Sequence, residues 1–156
     1  MMQDTFYKIT MAQLGYAQCL DNGELEAWPE FFVDNCNYKI TSDRNYRKGM
    51  DVGILWADSK GMLHDRISSL RDANIYEPHK YRHILSQPLI LGEDNGEVQS
   101  ETSFLVIRIM RDGPMDMFAA GKYMDRYKIS GEGVKLQERL VVCDSSHFDT
   151  LLAIPL

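Results

Sequence analysis

The chain has 156 residues, with 44% hydrophobic and 26% charged side chains, which is ordinary for one globular domain. We therefore expect a single domain over residues 1–156. The formal net charge of -6 argues against a nucleic-acid surface, because phosphate binding requires clustered Lys and Arg. The basic run at 44–48 is too short to reverse this.

Membrane and secretory signals are weak in this sequence. No apolar run approaches the roughly 18–20 residues that a membrane helix requires. The N-terminal stretch mixes charged and apolar residues, unlike a signal peptide. Three widely spaced cysteines suit free thiols in a reducing compartment better than a disulfide framework. We expect a cytoplasmic protein that binds neither membranes nor nucleic acids.

The first third of the chain shows helical spacing. Residues 3–20 form an amphipathic pattern whose apolar positions recur at steps of three and four: Tyr7, Met11, Leu14, Ala17 and Leu20. A short helix follows around Trp28 and Pro29, with Trp28 at a spacing typical of the core. Ser59 can cap a third helix that runs to about Asp72 and buries Leu63, Ile67 and Leu70.

Strand patterns dominate the rest of the chain. Alternation predicts a strand at 36–40, and 50–57 can form another. From residue 81 onward, apolar runs at 81–91, 98–111, 115–129, 134–143 and 148–155 are separated mainly by Gly-containing turn signals, which predict an antiparallel meander. Helices followed by strands indicate an α+β fold, in which a curved antiparallel sheet wraps around the N-terminal helices as a cone.

The stretch YEPHKYRHIL (76–85) holds the densest group of side chains that could bind a metal or transfer a proton. His79 and His83 could share one face of a helix and hold a metal, but Pro78 and the strand pattern after it disfavour a helix. On a strand, residues four apart lie about 13 Å from each other, which is too far for one metal ion. On a helix that lines a cone, Asp65 could act as a general base if apolar neighbours raise its pKa.

Several stretches resemble the small (β) subunits of aromatic-ring-hydroxylating dioxygenases. They are WPEFFVDNCNYKIT (28–41), the run from Gly53 to Leu85 and RLVVCDSSHFDTLLAIPL (139–156), with MLHDR (62–66) and YRH (81–83) the most specific pieces. The detail is most similar to oxygenases that attack aromatic carboxylates, with terephthalate first and anthranilate and salicylate behind it. The resemblance implies the cone-shaped nuclear-transport-factor-2-like (cystatin-like) fold.

The resemblance also implies a division of labour. The family's large α subunit carries the Rieske [2Fe-2S] cluster and the mononuclear Fe(II), an external reductase supplies electrons, and the β subunit has no catalytic residue. It packs with α subunits and other β subunits, commonly as α3β3. The cysteine spacing fits this division, because no His stands two or three places after Cys19, Cys36 or Cys143, as a Rieske centre requires.

Because of the resemblance, we expect residues 76–85 to make subunit contacts. Arg82 would face the large subunit or, as an equal alternative, an intrachain carboxylate. The candidate interface residues are His79, Tyr81, Arg82, His83, Trp56, Asp65 and Arg66. One alternative is a stand-alone isomerase or dehydratase that uses Asp65 or His83 as its base, and another is a small-molecule binding module. An enzyme should keep an open pocket, whereas a scaffold subunit should fill its cone with side chains.

Overall fold

A computed structural model describes residues 2–49, 53, 55–73, 78–145 and 154–156. The elements, in chain order, are α1 (Met2–Asp21), a 3-10 helix (Leu25–Phe31), β1 (Phe32–Ser42), α2 (Asp43–Arg47), β2 (Leu55–Ala57), α3 (Lys60–Ala73), β3 (His79–Leu85), β4 (Leu89–Asp94), β5 (Glu97–Met110), β6 (Met115–Ser130) and β7 (Gly133–Cys143). The expected α+β architecture is confirmed. None of the described helices is long and apolar enough to cross a membrane.

The seven strands form one sheet in the order β2-β1-β7-β6-β5-β3, with β4 also paired to β5. Hairpins join β4, β5, β6 and β7 at the turns that the sequence predicted. The turn at Asn95 and Gly96 has positive φ at both residues, as a two-residue hairpin requires. The pairing of β1 with β7 is parallel, which the meander prediction missed. Such a pair needs a long crossover, and about 90 residues separate these strands.

One strand prediction needs correction, and two others fall partly outside the described residues. The run at 81–91 is two strands, β3 and β4, separated by residues 86–88, where Pro88 cannot donate a ladder hydrogen bond. Most of the run at 148–155 lies outside the described residues, and residues 154–156 form no strand. The predicted strand at 50–57 is described at Leu55–Ala57, and residues 50–52 and 54 lie outside the described part.

The apolar face predicted for α1 is buried only in part, although the helix itself is confirmed: Ala17 and Leu20 are buried as predicted. Tyr7, Met11 and Leu14 are 63%, 50% and 51% exposed. The helix instead buries a stripe that includes polar residues: Thr5, Ile9, Gln13, Tyr16, Ala17 and Leu20. Periodicity alone misplaced this face because buried polar side chains count as polar in the pattern, although hydrogen bonds inside the fold satisfy them.

Aromatic rings fill the space between the helices and the sheet. Trp28 is fully buried, as predicted, and its ring meets those of Phe32 and Tyr38 edge to face at 5.6 and 5.1 Å between centroids. Leu63 and Ile67 of α3 are buried as predicted, and the Ser59 hydroxyl caps that helix by accepting a hydrogen bond from the Met62 amide at 3.2 Å.

Candidate functional site

The stretch that carries His79 to His83 is strand β3, which pairs with β5 and with no other strand of the described residues. Strand alternation divides its side chains between two faces. Tyr81 and His83 point inward and are buried, and His79 on the same face is half-buried. Lys80 and Arg82 point outward and are exposed. Of the residues predicted from this stretch, Arg82 therefore presents its side chain to the surface.

Asp21, the last residue of α1, holds His83 at two points. Its carboxylate accepts a hydrogen bond from the His83 backbone amide at 2.9 Å, and its other oxygen lies 2.6 Å from His83 Nδ1. Both side chains are almost fully buried. The carboxylate thus ties α1 to β3. His83 Nε2 is buried and has no hydrogen-bond partner among the described residues.

The other inward side chains of β3 also contact the chain itself. The Tyr81 hydroxyl donates to the Ile154 carbonyl at 3.1 Å, and its ring stacks on Phe118 at 5.5 Å between centroids. The His79 ring lies 5.3 Å from the Tyr81 ring. Tyr81 thus separates the two histidines on the inner face of the strand. Among residues 2–49, 53, 55–73, 78–145 and 154–156, no three His, Cys, Asp or Glu side chains are grouped as a metal site.

The most unusual feature of the interior is a buried salt bridge that the sequence reading missed. Arg139 of β7 is fully buried and donates to both carboxylate oxygens of Asp125 on β6, at 2.8 and 2.9 Å. It also donates to the Gln13 side-chain oxygen at 2.6 Å and to the Tyr127 hydroxyl at 3.2 Å. The bidentate pair joins β6 to β7, and the bond to Gln13 ties both strands to helix α1.

Two tyrosine rings enclose the guanidinium of Arg139. Its carbon Cζ lies 4.2 Å from the centroid of Tyr16 and 3.8 Å from that of Tyr123, close enough for cation–π attraction. Burial disfavours the charged form of Arg139, but Asp125, Tyr127 and Tyr16 together outweigh this and raise its pKa well above the ordinary value. Burial likewise raises the pKa of Tyr16 and Tyr123, so both hydroxyls stay protonated.

The last described residues occupy the remaining space beside this network. Leu156 is fully buried, and its main-chain oxygen accepts hydrogen bonds from the hydroxyls of Tyr16 and Tyr38, each at 2.8 Å. Ile154 is buried as well and accepts from Tyr81. In the part of the chain that the structure describes, the interior of the cone therefore contains protein side chains, mainly of Tyr, Phe, Trp and Leu, together with one Arg.

The three remaining candidates lie away from β3. Trp56 of β2 is 58% exposed and lines a surface groove with Lys39 and Leu140 on the outer face of the sheet. Asp65 lies on the exposed face of α3. Arg66 is half-buried, and burial lowers its pKa. The structure thus distributes the seven candidates over several surfaces and the interior, and it does not gather them into one site.

A recognisable signal for the missed network was present in the sequence. Asp125 stands at the centre of an alternating strand, flanked two residues away on each side by Tyr123 and Tyr127. Arg139 stands two residues before the buried Val141. Charged residues at inward-facing positions of two neighbouring strands, opposite in sign, indicate a buried pair.

Comparisons with known proteins agree with this architecture. The sequence profile of the family described as "Ring hydroxylating beta subunit" matches residues 16–150. The chain belongs to this family. The β subunit 1 of the terminal oxygenase component of terephthalate 1,2-dioxygenase from Comamonas sp. is 46% identical over 149 residues, covering 96% of this chain and 97% of that protein.

Two further relatives support the same assignment for this β subunit. The small subunit of anthranilate 1,2-dioxygenase from Burkholderia cepacia is 39% identical, covering 97% of this chain and 94% of that one. A crystal structure from Novosphingobium aromaticivorans, described as the β subunit of an aromatic-ring-hydroxylating dioxygenase, superposes with a TM-score of 0.91 at 36% identity and covers 99% of both chains. The cone-shaped fold that the resemblance implied is confirmed, and the β subunit belongs to an oxidoreductase complex.

The described residues of this β subunit do not fit a Rieske centre or a mononuclear iron site. A Rieske centre needs two Cys and two His at one place, and an iron triad needs two His and one carboxylate. Cys19, Cys36 and Cys143 are buried as free thiols, and burial raises the pKa of each one, which disfavours the thiolate that binds metals.

Proposed function

We propose that this chain is the structural, non-catalytic small subunit of a terminal oxygenase that hydroxylates an aromatic carboxylate. Terephthalate is the first candidate substrate, because the 46% identical relative is named for it, and anthranilate or salicylate is the next. The observation that carries the structural role is the filled interior. Arg139, Asp125 and their tyrosines occupy the space where an enzyme with this fold would hold a substrate.

The ring chemistry then belongs to a partner. We propose a large α subunit that carries the Rieske [2Fe-2S] cluster and mononuclear Fe(II), assembled with this chain as α3β3 and reduced by an external reductase. The present chain would bind that subunit and support its assembly into the complex. Contacts are proposed at the exposed candidates Arg82, Trp56 and Asp65. The buried candidates Tyr81 and His83 would act indirectly by holding β3 in place.

The alternative of a stand-alone isomerase or dehydratase is less well supported. Asp65 is exposed on α3, where water solvates its carboxylate. His83 is enclosed, with Nδ1 occupied by Asp21. Four surface grooves formed by described residues are lined by other side chains. Neither candidate base therefore faces one of these grooves, as a general base must in order to reach a substrate proton.

The three free thiols support a cytoplasmic location for the complex. Each is buried and unpaired with another cysteine, as expected of a protein that matures in a reducing compartment. We propose on this basis that the oxygenase works in the cytoplasm.

The proposal can be tested by reconstitution. The chain is co-expressed with the large subunit of its own oxygenase, purified and mixed with the reductase, and dioxygen uptake is measured with terephthalate, anthranilate and salicylate. We expect turnover with one of these by the complex and none by the isolated chain. In the assembled complex, Asp65→Asn should leave the rate per iron unchanged, because a contact residue affects assembly and not the chemistry. Turnover by the isolated chain, abolished by Asp65→Asn or His83→Gln, would overturn the proposal.

A further inference from the structure

One end of the outer sheet face is apolar. Along β5 the outward side chains change from polar at Gln99, Glu101 and Ser103 to apolar at Leu105, Ile107 and Ile109, which are only partly buried. The neighbouring strands continue this surface with Ile84, Met115 and Met117, which are 53%, 69% and 78% exposed. We call these six apolar residues, together with Lys80 and Arg82, the β3–β5–β6 patch.

The strand register makes the patch continuous. Arg82 on β3 is in register with Ile107 on β5, which is in register with Met117 on β6. One step along, Lys80, Ile109 and Met115 form a parallel row. Neighbouring strands are about 4.8 Å apart, so the side chains in each row touch or nearly touch. Contiguous exposed apolar surface of this kind is uncommon on monomers and marks interaction sites.

The charges on the patch have one sign. Lys80 and Arg82 are exposed, and neither side chain makes a hydrogen bond or an ion pair within the described part of the chain. None of the patch residues is acidic, and Glu101, four residues before Leu105 on the same face of β5, is paired with Lys122 at 2.9 Å. Asp116, between the two methionines, lies on the opposite face, where Arg108 binds it at 3.0 Å. The patch is therefore cationic, although the chain as a whole has a net charge of -6.

We infer that the β3–β5–β6 patch is the surface on which the large subunit docks, through an apolar area that carries carboxylates opposite Lys80 and Arg82. This inference rests on the proposed function. A planar guanidinium beside apolar side chains is a frequent anchor in protein interfaces, where it binds a carboxylate bidentately. Met115 and Met117 supply adaptable apolar contact around it.

A second copy of the same patch is a poorer fit. Two copies facing each other would bring Lys80 and Arg82 of both chains to one interface without an acidic partner from either patch. Like charges placed together in an interface disfavour association. Charge complementarity thus favours a different chain with acidic residues.

The test compares patch variants of the full chain with matched controls for binding to the purified large subunit. The patch variants are Arg82→Glu and Met117→Asp. The controls are Arg44→Glu, an equal charge change at an exposed position on α2, and Met2→Asp, at a methionine that is also 78% exposed. All variants are first checked by circular dichroism. Affinity for the purified large subunit is then measured by biolayer interferometry, and the mass of the free chain by light scattering.

We expect each patch variant to weaken binding at least tenfold and both controls to stay within twofold of wild type. If wild type binds the large subunit and the patch variants bind equally well, the patch is not the docking surface, although the proposed function stands. If wild type does not bind, the proposed function itself fails. If the patch variants instead convert a self-associated free chain to monomers with unchanged affinity, the patch is a contact between copies, and the inference is overturned.

Discussion

Asp125→Asn tests the idea that one buried salt bridge stabilises the interior of the cone. The substitution keeps the size of the side chain and removes its charge. It leaves the guanidinium of Arg139 fully buried, with two tyrosine rings and the Gln13 oxygen but without a counter-ion. Because the side chains of both partners are fully buried, water cannot replace the lost carboxylate.

The expected loss is large for a domain of this size. Removing one partner of a buried pair costs about 3–5 kcal/mol, because the other charge stays uncompensated. The whole free energy of unfolding of such a domain is about 5–15 kcal/mol. At about 2–4 °C per kcal/mol for chains of 150–250 residues, we expect the melting temperature to fall by roughly 6–20 °C.

The next pair along the same two strands provides the control. Arg126 and Glu138 lie one register step from Asp125 and Arg139, but on the outer face, where both are about half exposed and 3.6 Å apart. Glu138→Gln should therefore cost only about 0–1 kcal/mol. Urea unfolding followed by far-ultraviolet circular dichroism gives the free energy of unfolding of each variant.

A further variant separates the charge from the packing. Asp125→Leu combined with Arg139→Met removes both charges and should recover more than half of the loss, because no uncompensated ion remains. A loss below about 1 kcal/mol for Asp125→Asn, equal to that of Glu138→Gln, would refute the reasoning. So would a double variant that is less stable than Asp125→Asn.

Three other predictions follow from the packing. Gly121→Ala should destabilise the chain by about 3 kcal/mol or more, because a Cβ there would lie 2.0 Å from the Val142 carbonyl oxygen. In the same urea titration Gly131→Ala should be tolerated, because a Cβ there would have nothing within 4 Å. Asp21→Ala should speed hydrogen exchange at the His83 amide, which loses its acceptor, and an unchanged rate would contradict the bond. Burial raises the pKa of Cys19 to about 11 and that of Cys143 to about 12, from 9.0. Their contribution to stability is therefore full below pH 9 and declines as the pH rises through the raised values. The urea midpoint should fall between pH 9 and 11, and an unchanged midpoint would contradict this prediction.

Local patterns predicted the elements well where short-range chemistry decides them. The hairpin turns and the Ser59 cap depend on residues within a few positions, and both are found. The five-residue helix α2 is not predicted, although its Ser42 cap has the same chemistry, because it buries no residue and so leaves no apolar periodicity in the sequence.

Long-range pairing could not be predicted in the same way. Two features join positions up to 126 residues apart. They are the parallel pairing of β1 with β7 and the hydrogen-bonded cluster of Gln13, Asp125 and Arg139. Because Gln13 is polar, the apolar pattern of α1 places the buried face at Tyr7 and Met11, which are in fact exposed. Alternation on β3 correctly implied that neighbours point to opposite faces, but it could not say that Arg82 would lie beside Ile107 and Met117.

The central claim, that this chain braces an iron-containing partner and is not itself a catalyst, is tested most directly by native mass spectrometry with iron analysis. The tagged chain is purified from its own host, and the visible spectrum of the same sample is recorded. We expect a brown complex with a larger subunit in equal numbers, and all the iron in that subunit after separation. A colourless homo-oligomer without a partner, or iron that stays with the present chain, would contradict the account.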